Sequence, residues 1–398
     1  MNGGVMIRTG LRAALVAGVS MLALAGPASA QLMASANDGK ARLVNGATVI
    51  ANPPTPDSVT VLDLGATPPR LVAQVEAPAS VVGPPLSVAL TPDERLVLVT
   101  SNQRVDPANP ARSVPDNRLS VIDLRASPPQ VVQTLETGRG PAGVSVNRAG
   151  TLALVANREE GTVSVFRIRD GRLEAAGKVE VANQAANVAH AAFTPDGRHA
   201  LVPRDGDHFI SILAIEGGQV RRLDRNFSAG LRPYGLVIAP DGRWAAVANI
   251  GRGNGDEDTA SLIDMSGAPA TWRVVHSITV GQTPEGIQVS PDGRIVAVTV
   301  MNGSNKPDNS PFRGPGLVRT YRVEGQGAGL RFVPAGEARV GTWAQGAAFS
   351  RDGRRLVVGN MVENNLTVLS VGQDGSLSEG GAPIAVPGGS AALRTAER

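Results

Sequence analysis

Hydrophobic and polar positions alternate with period two in short runs along most of the chain, and each run is cut off by a tight turn. Residues 239–249 read APDGRWAAVAN, and close relatives recur as TPDGRHALVP (194–203), SPDGRIVAVTV (290–300) and SRDGRRLVVGN (350–360). The turns centre on Asp93-Glu94, Ala149-Gly150, Asp196-Gly197, Asp241-Gly242, Asp292-Gly293 and Asp352-Gly353, whose second residues lie 56, 47, 45, 51 and 60 apart. Proline sets φ at the first corner, aspartate bonds the backbone two residues on, and glycine takes the positive-φ position.

Each unit has the same order. A strand of small residues comes first, as in AGVSV (142–146), YGLVI (234–238) and EGIQV (285–289). A second strand follows the turn, as in TLALVA (151–156) and RRLVVG (354–359). The third reads TVSVFRI (162–168) or NLTVLSV (365–371), and a more polar fourth closes the unit, as in LEAAGKVEV (173–181). A period in the forties with four strands per unit predicts propeller blades, with the small-residue strand at the crowded axis and the charged strand in water. The fold class expected is all-β: a seven-bladed β-propeller of four-stranded antiparallel blades. Six units are complete, with blades starting near residues 86, 142, 189, 234, 285 and 345. A seventh is split over residues 41–76 and 388–394. In it LVNGATVIAN (43–52) is expected as second strand, SVTVLDL (58–64) as third and RLVAQVE (70–76) as fourth. GGSAALR (388–394), in phase with GPAGVSV (140–146), is expected as the first. The two ends then share one blade and close the ring, which removes exposed sheet edges.

Composition adds limits. Residues 1–30 read as a secretory signal: Arg8 and Arg12 without an acid, the apolar run AALVAGVSMLALAG, and Ala28-Ser29-Ala30 as a cleavage site. Residues 31–398 are then one propeller domain in the periplasm, and no later segment is apolar enough to span a membrane. Without residues 1–30 the chain carries 36 basic residues against 35 acidic ones, a net of +1, which does not favour nucleic acid as a partner. The chain has no cysteine, which excludes disulfides, thiolate metal sites and CxxCH haem attachment.

PEGIQVSPDGRIVAVTV (284–300), PYGLVIAPDGRWAAVAN (233–249) and PAGVSVNRAGTLALVANREEGTVSVF (141–166) resemble the YVTN-type β-propeller repeat. That group is close to the lactonase-like propellers, similar to 6-phosphogluconolactonase and muconate cycloisomerase. HAAFTPDGRHALVPRDGDHFISILAI (190–215) resembles theirs most. The lactonase pattern there is H-S-x-x-F-S-P-D-G, then V-P-x-x-x-x-D-R, then P-R-H at the next strand entrance. Here His190 stands three residues before Phe193 instead of four. His208-Phe209 replaces Asp-Arg, and Pro233-Tyr234-Gly235 replaces P-R-H. The resemblance implies the fold. It leaves two functions open: a binding module for a small molecule, glycan or protein, or a hydrolase or cycloisomerase acting on a lactone.

The architecture implies a site at the funnel formed by first-strand entrances and second-to-third-strand loops. Entrance residues are Arg139, His190, Arg232, Tyr234, Glu285, Trp343 and Gln345. Loop residues include Asn157, Arg158, Glu159, Arg204, Asp205, Asp207, His208, Asn249 and Asn360. Of these, Asn157, Glu159, Asp205, Asp207, Tyr234, Asn249, Glu285, Trp343 and Gln345 are the candidate ligand contacts. His190, Arg204 and His208 are the candidate catalytic groups, with His208 and Asp205 or Asp207 as a base-and-orienter pair. Asn157, Asn249 and Asn360 share one phase, where an asparagine side chain can instead bond local backbone and end a strand. Blade 190–215 has Arg204 at that phase, suited to a carboxylate or phosphate, or to Asp205 or Asp207 as its ion-pair partner. Asp256, Glu257 and Asp258 are a weak calcium candidate. No HxH or HExxH spacing, phosphate loop or nucleophile elbow occurs, and no cofactor is expected. Three long loops, 103–117, 250–259 and 302–316, are expected on one rim. A monomer is the expected state.

Overall fold

The computed structural model describes residues 1–4 and 31–397. The expected leader therefore lies, beyond its first four residues, outside the described part. No helix among the described residues is long and apolar enough to cross a membrane.

Among the described residues, seven antiparallel blade sheets follow one another along the chain, with one small two-stranded sheet beside them. Blade 1 combines both ends: Gly389–Thr395 is innermost, followed by Leu32–Asp38, Ser58–Asp63 and Arg70–Glu76. Blade 2 starts at Val88, blade 3 at Pro141, blade 4 at Ala192, blade 5 at Pro233, blade 6 at Pro284 and blade 7 at Ala344. In blade 7 the outer position is filled by two short pieces, Leu377–Glu379 and Ile384–Ala385. The ring is latched where Met33 pairs with Thr395 and Asp38 with Gly389.

The turns behave as their chemistry requires. Gly197, Gly242, Gly293 and Gly353 have φ of 69°, 72°, 72° and 70°. In the 194–199 turn Asp196 Oδ1 accepts from the Thr194 hydroxyl at 2.6 Å and the Arg198 amide at 3.0 Å, and the His199 amide donates to Thr194 Oγ1 at 3.0 Å. Between each pair of neighbouring blades lies one apolar core, and the seven cores run round the ring from blades 1 and 2 back to blades 7 and 1. Each sheet therefore buries both faces. At the axis the strands nearly touch: a Cβ on Gly235 would sit 2.5 Å from the Glu285 carbonyl oxygen, and one on Gly286 2.6 Å from that of Gln345. Only glycine lets successive inner strands approach so closely.

Two expectations are corrected. The second strand of the split blade is Leu32–Asp38, not 43–52. Residues 41–44 and 47–50 instead pair with each other as a hairpin. Asn45 and Gly46, at φ 44° and 81°, form the kind of turn that reverses a chain and cannot continue a straight strand. Segment 103–117 is not an irregular loop: Leu96–Asp106 and Asn109–Asp123 extend as a long hairpin beyond blade 2. Two of the three expected rim segments, 250–259 and 302–316, are linked to each other and to the 41–50 hairpin. Asn45 Oδ1 accepts from the Asp308 amide at 3.2 Å, Lys306 donates to the Gly253 carbonyl at 2.6 Å, and Ser304 Oγ accepts from the Trp343 amide at 2.9 Å.

Candidate functional site

Blades 3 to 7 bring seven side chains together at the loop-side mouth of the axis. The centre is Asp205, which follows the second strand of blade 4 and is 1% exposed. Arg158, from the equivalent loop of blade 3, forks onto it: Nη1 donates to Oδ1 at 2.5 Å and Nη2 to Oδ2 at 2.9 Å. Arg232, at the entrance of blade 5, donates to Oδ2 at 2.8 Å. One carboxylate is thus held between two guanidiniums. The Arg158 guanidinium also lies over the Tyr234 ring, 5.5 Å from its centroid. Burial pushes the Tyr234 hydroxyl well above its ordinary value and keeps it a proton donor.

Glu285, at the entrance of blade 6, is the chemically distinctive group. It is 9% exposed, and burial pushes its carboxyl up to about 8. The Gln345 amide, which donates to Oε2 at 2.7 Å, and the charges of Arg232 and Arg158 pull it down and do not prevail. One buried polar atom beside this carboxyl, Gln345 Oε1, has no hydrogen-bond partner, while the Trp343 side chain adds a hydrogen bond to the carboxyl itself. Such an orphaned group is what a bound ligand or water satisfies. The arrangement sets two guanidiniums against one carboxylate, a local surplus of positive charge, beside a carboxyl that changes protonation close to neutral pH.

Other candidates fall elsewhere. Arg204 does not face the axis; it pairs with Asp207, donates to Ser211 Oγ at 2.9 Å and lies over the Phe209 ring. This is the role the asparagines of the same phase play. Asn157 accepts the Gly138 amide at 3.0 Å and donates to Thr162 and Ser164 at 2.9 Å each. Asn249 donates to the Ala229 carbonyl, Thr259 and Ser261, and Asn360 accepts the Gly341 amide at 2.8 Å. All three are buried and tie a blade's strands to the entrance beside them.

The His208 pair with a carboxylate does not form. Asp205 is held by Arg158 and Arg232, and Asp207 by Arg204. His208 Nδ1 instead accepts the Arg232 amide at 3.3 Å, so the neutral ring carries its proton on Nε2. His190 is fully buried with neither ring nitrogen bonded, and burial, with Arg394 adding to it, holds it well below the ordinary histidine value. Glu159 lies 3.6 Å from Arg139 on the outer rim. Asp256, Glu257 and Asp258 do not converge as a cage: no group of three acid or imidazole side chains able to hold a metal occurs among the described residues. Asp258 instead accepts the Thr283 amide at 2.8 Å. Sequence reasoning placed Arg158 and Arg232 at the funnel but gave them no role. Their loop and entrance phases were the available signal.

This fold and site define a seven-bladed β-propeller with a buried, charged cluster at one mouth of its axis. The family described as "Lactonase, 7-bladed beta-propeller" matches residues 123–261, the stretch that carries Arg158, Asp205, Arg232 and Tyr234. Solved structures agree over nearly the whole chain. A candidate 6-phosphogluconolactonase from Bacteroides uniformis superposes with a TM-score of 0.69 at 16% identity, covering 92% of this chain and 100% of its own. A second, from Bacteroides fragilis, gives 0.70 at 16%, covering 93% and 99%. A periplasmic gluconolactonase from Pseudomonas aeruginosa gives 0.68 at 18%, covering 92% and 99%. At such identities the likeness is one of fold. No curated protein matches the sequence. The chain resembles the lactonase-like seven-bladed propellers.

Proposed function

We propose that the protein is an exported lactone hydrolase acting on a small sugar-acid-type lactone at the loop-side mouth. The observation that carries this reading is Glu285: a buried carboxyl with a value of about 8, in the field of Arg158 and Arg232. A general base is most effective when its pKa lies near the working pH. In its ionised form Glu285 takes a proton from water as the water oxygen bonds to the acyl carbon. The ring carbon–oxygen bond then breaks, the same proton passes to the leaving ring oxygen, and the carboxylate is regenerated. Arg158 and Arg232 set a positive field for the oxyanion that develops between these steps. The family match across 123–261 and the periplasmic gluconolactonase neighbour support the substrate class and an extracytoplasmic site of action.

A second reading, ligand binding without turnover, has its own support. Neither funnel histidine is available as a second base: His190 is sealed and His208 Nδ1 is occupied. A panel of sugar lactones scored by acid release separates the two. Hydrolysis is expected to rise with pH towards a plateau above about 8 and to fall at least about 100-fold in Glu285→Gln, the lower range for loss of a general base. Saturable binding of the panel without acid release supports the second reading. Release that is indifferent to Glu285→Gln refutes the first.

A further inference from the structure

The axial channel has a second mouth, on the face opposite the Asp205 cluster, where the Pro-Asp-Gly turns lie. Inner strands of blades 4, 5, 6, 7 and 1 end there around a cavity of about 230 Å³. Much of its wall is apolar, from Phe193, Val237, Val289 and the turn prolines. Charged side chains line it as well. Arg351 pairs with Glu94 at 3.2 Å, and Arg394 pairs with Glu397. Arg148, half-buried at the turn of blade 3, has no carboxylate within ion-pair distance among the described residues. Arg394 is 5% exposed, and its Nη1 is buried without a hydrogen-bond partner although its side chain lines the cavity. An inner strand otherwise made of small residues and one leucine thus places a guanidinium in the channel wall, with a donor left over.

We propose that this turn-side cavity binds a small monocarboxylate with an apolar stem, its carboxylate held by Arg394 and Arg148 and its stem by the apolar wall. A guanidinium fork matches a carboxylate in shape and charge. A phosphate, which carries close to two charges at neutral pH, loses more than a monoanion does when it leaves water for an apolar wall. The enclosed apolar wall has no use for a fully hydrated ion. Glu397 already supplies one carboxylate to Arg394, showing that this guanidinium accepts such a partner at the cavity edge.

The test is calorimetric titration of the full chain with hexanoate, its methyl ester and inorganic phosphate. Hexanoate is expected to bind, with ester and phosphate at least about tenfold weaker, the factor that losing one charge-assisted hydrogen bond brings. Arg148→Gln, at a half-exposed turn where folding is not at stake, is expected to weaken hexanoate about tenfold. Glu285→Gln, at the opposite mouth, is expected to leave hexanoate affinity unchanged. Absence of saturable hexanoate binding up to about 10 mM overturns the proposal. So does phosphate binding as tightly as hexanoate, or hexanoate binding that responds to Glu285→Gln and not to Arg148→Gln.

Discussion

Replacing Glu285 by glutamine should change how stability depends on pH, and the sign follows from the burial of this carboxyl. In the folded protein it titrates at about 8, whereas in the unfolded chain it returns to the ordinary 4.5. Between these values the folded state holds a proton that the unfolded state has released. Stability from this group is complete below about pH 4.5 and is lost as pH rises towards 8, after which the loss levels off. In the middle of that window the difference is close to one proton, which is about 1.4 kcal/mol per pH unit. From pH 5.5 to 7.5 the wild type should therefore lose about 2.7 kcal/mol relative to Glu285→Gln. Glutamine keeps the shape and can still accept from the Gln345 amide, so the variant is expected to fold. Other titrating groups, His190 and the half-buried His199 included, are present in both proteins and drop out of the difference. Urea unfolding of both proteins at half-unit pH steps gives the comparison directly. Parallel stability curves across pH 5.5–7.5 would refute the reasoning, because they would mean that Glu285 is already ionised in the folded state.

Three further outcomes test the rest of the frame. Asp205→Asn removes the charge between Arg158 and Arg232 and leaves a mostly buried guanidinium unpaired; a loss of about 3–5 kcal/mol in urea unfolding is expected. Leu393→Ala, in the latch strand and fully buried against Met33 and Val357, should cost about 2–5 kcal/mol, as Leu154→Ala should inside blade 3. A much smaller cost at Leu393 alone, measured by the same melts, would show that the closure frays before the ring opens. Asn157→Ala removes the nearer of the Gly138 amide's two acceptors and the donor shared by Thr162 and Ser164, and should cost about 1–3 kcal/mol of stability with no change in lactone turnover, read by melts and by the acid-release assay.

What could be read from the sequence follows a physical division. The turns were legible because their chemistry is local: threonine or serine, proline, aspartate and glycine bond one another within six residues, whatever surrounds them. The closing strand was legible by its phase against the other first strands. The second strand of blade 1 was not, and the reason is its environment. Leu32–Asp38 is covered on both faces by neighbouring blades, so its polar members are buried too. Ser35 donates to Asn37 at 2.8 Å, and Asn37 donates to Ser58 at 3.2 Å and Thr60 at 3.0 Å. Such a strand has no reason to alternate. The hairpin at 41–50 reads as a better strand, yet Val44 and Val49 are exposed.

The same division separates the parts of the site. Entrance and loop phases mark which side chains can reach the axis, but not which of two adjacent residues does. Along the end of a strand, side chains alternate in direction. Arg204 therefore turns into its own blade to meet Ser211 and Asp207, while Asp205, one residue on, turns to Arg158 and Arg232. That choice moves the candidate chemistry away from an arginine and two histidines and onto an aspartate held by two arginines, with Glu285 beside them. Because Arg158 and Arg232 come from blades 3 and 5 and meet over a residue of blade 4, the cluster exists only when three blades are locked in register. Its ion pairs should therefore report on the integrity of the ring as much as on the ligand.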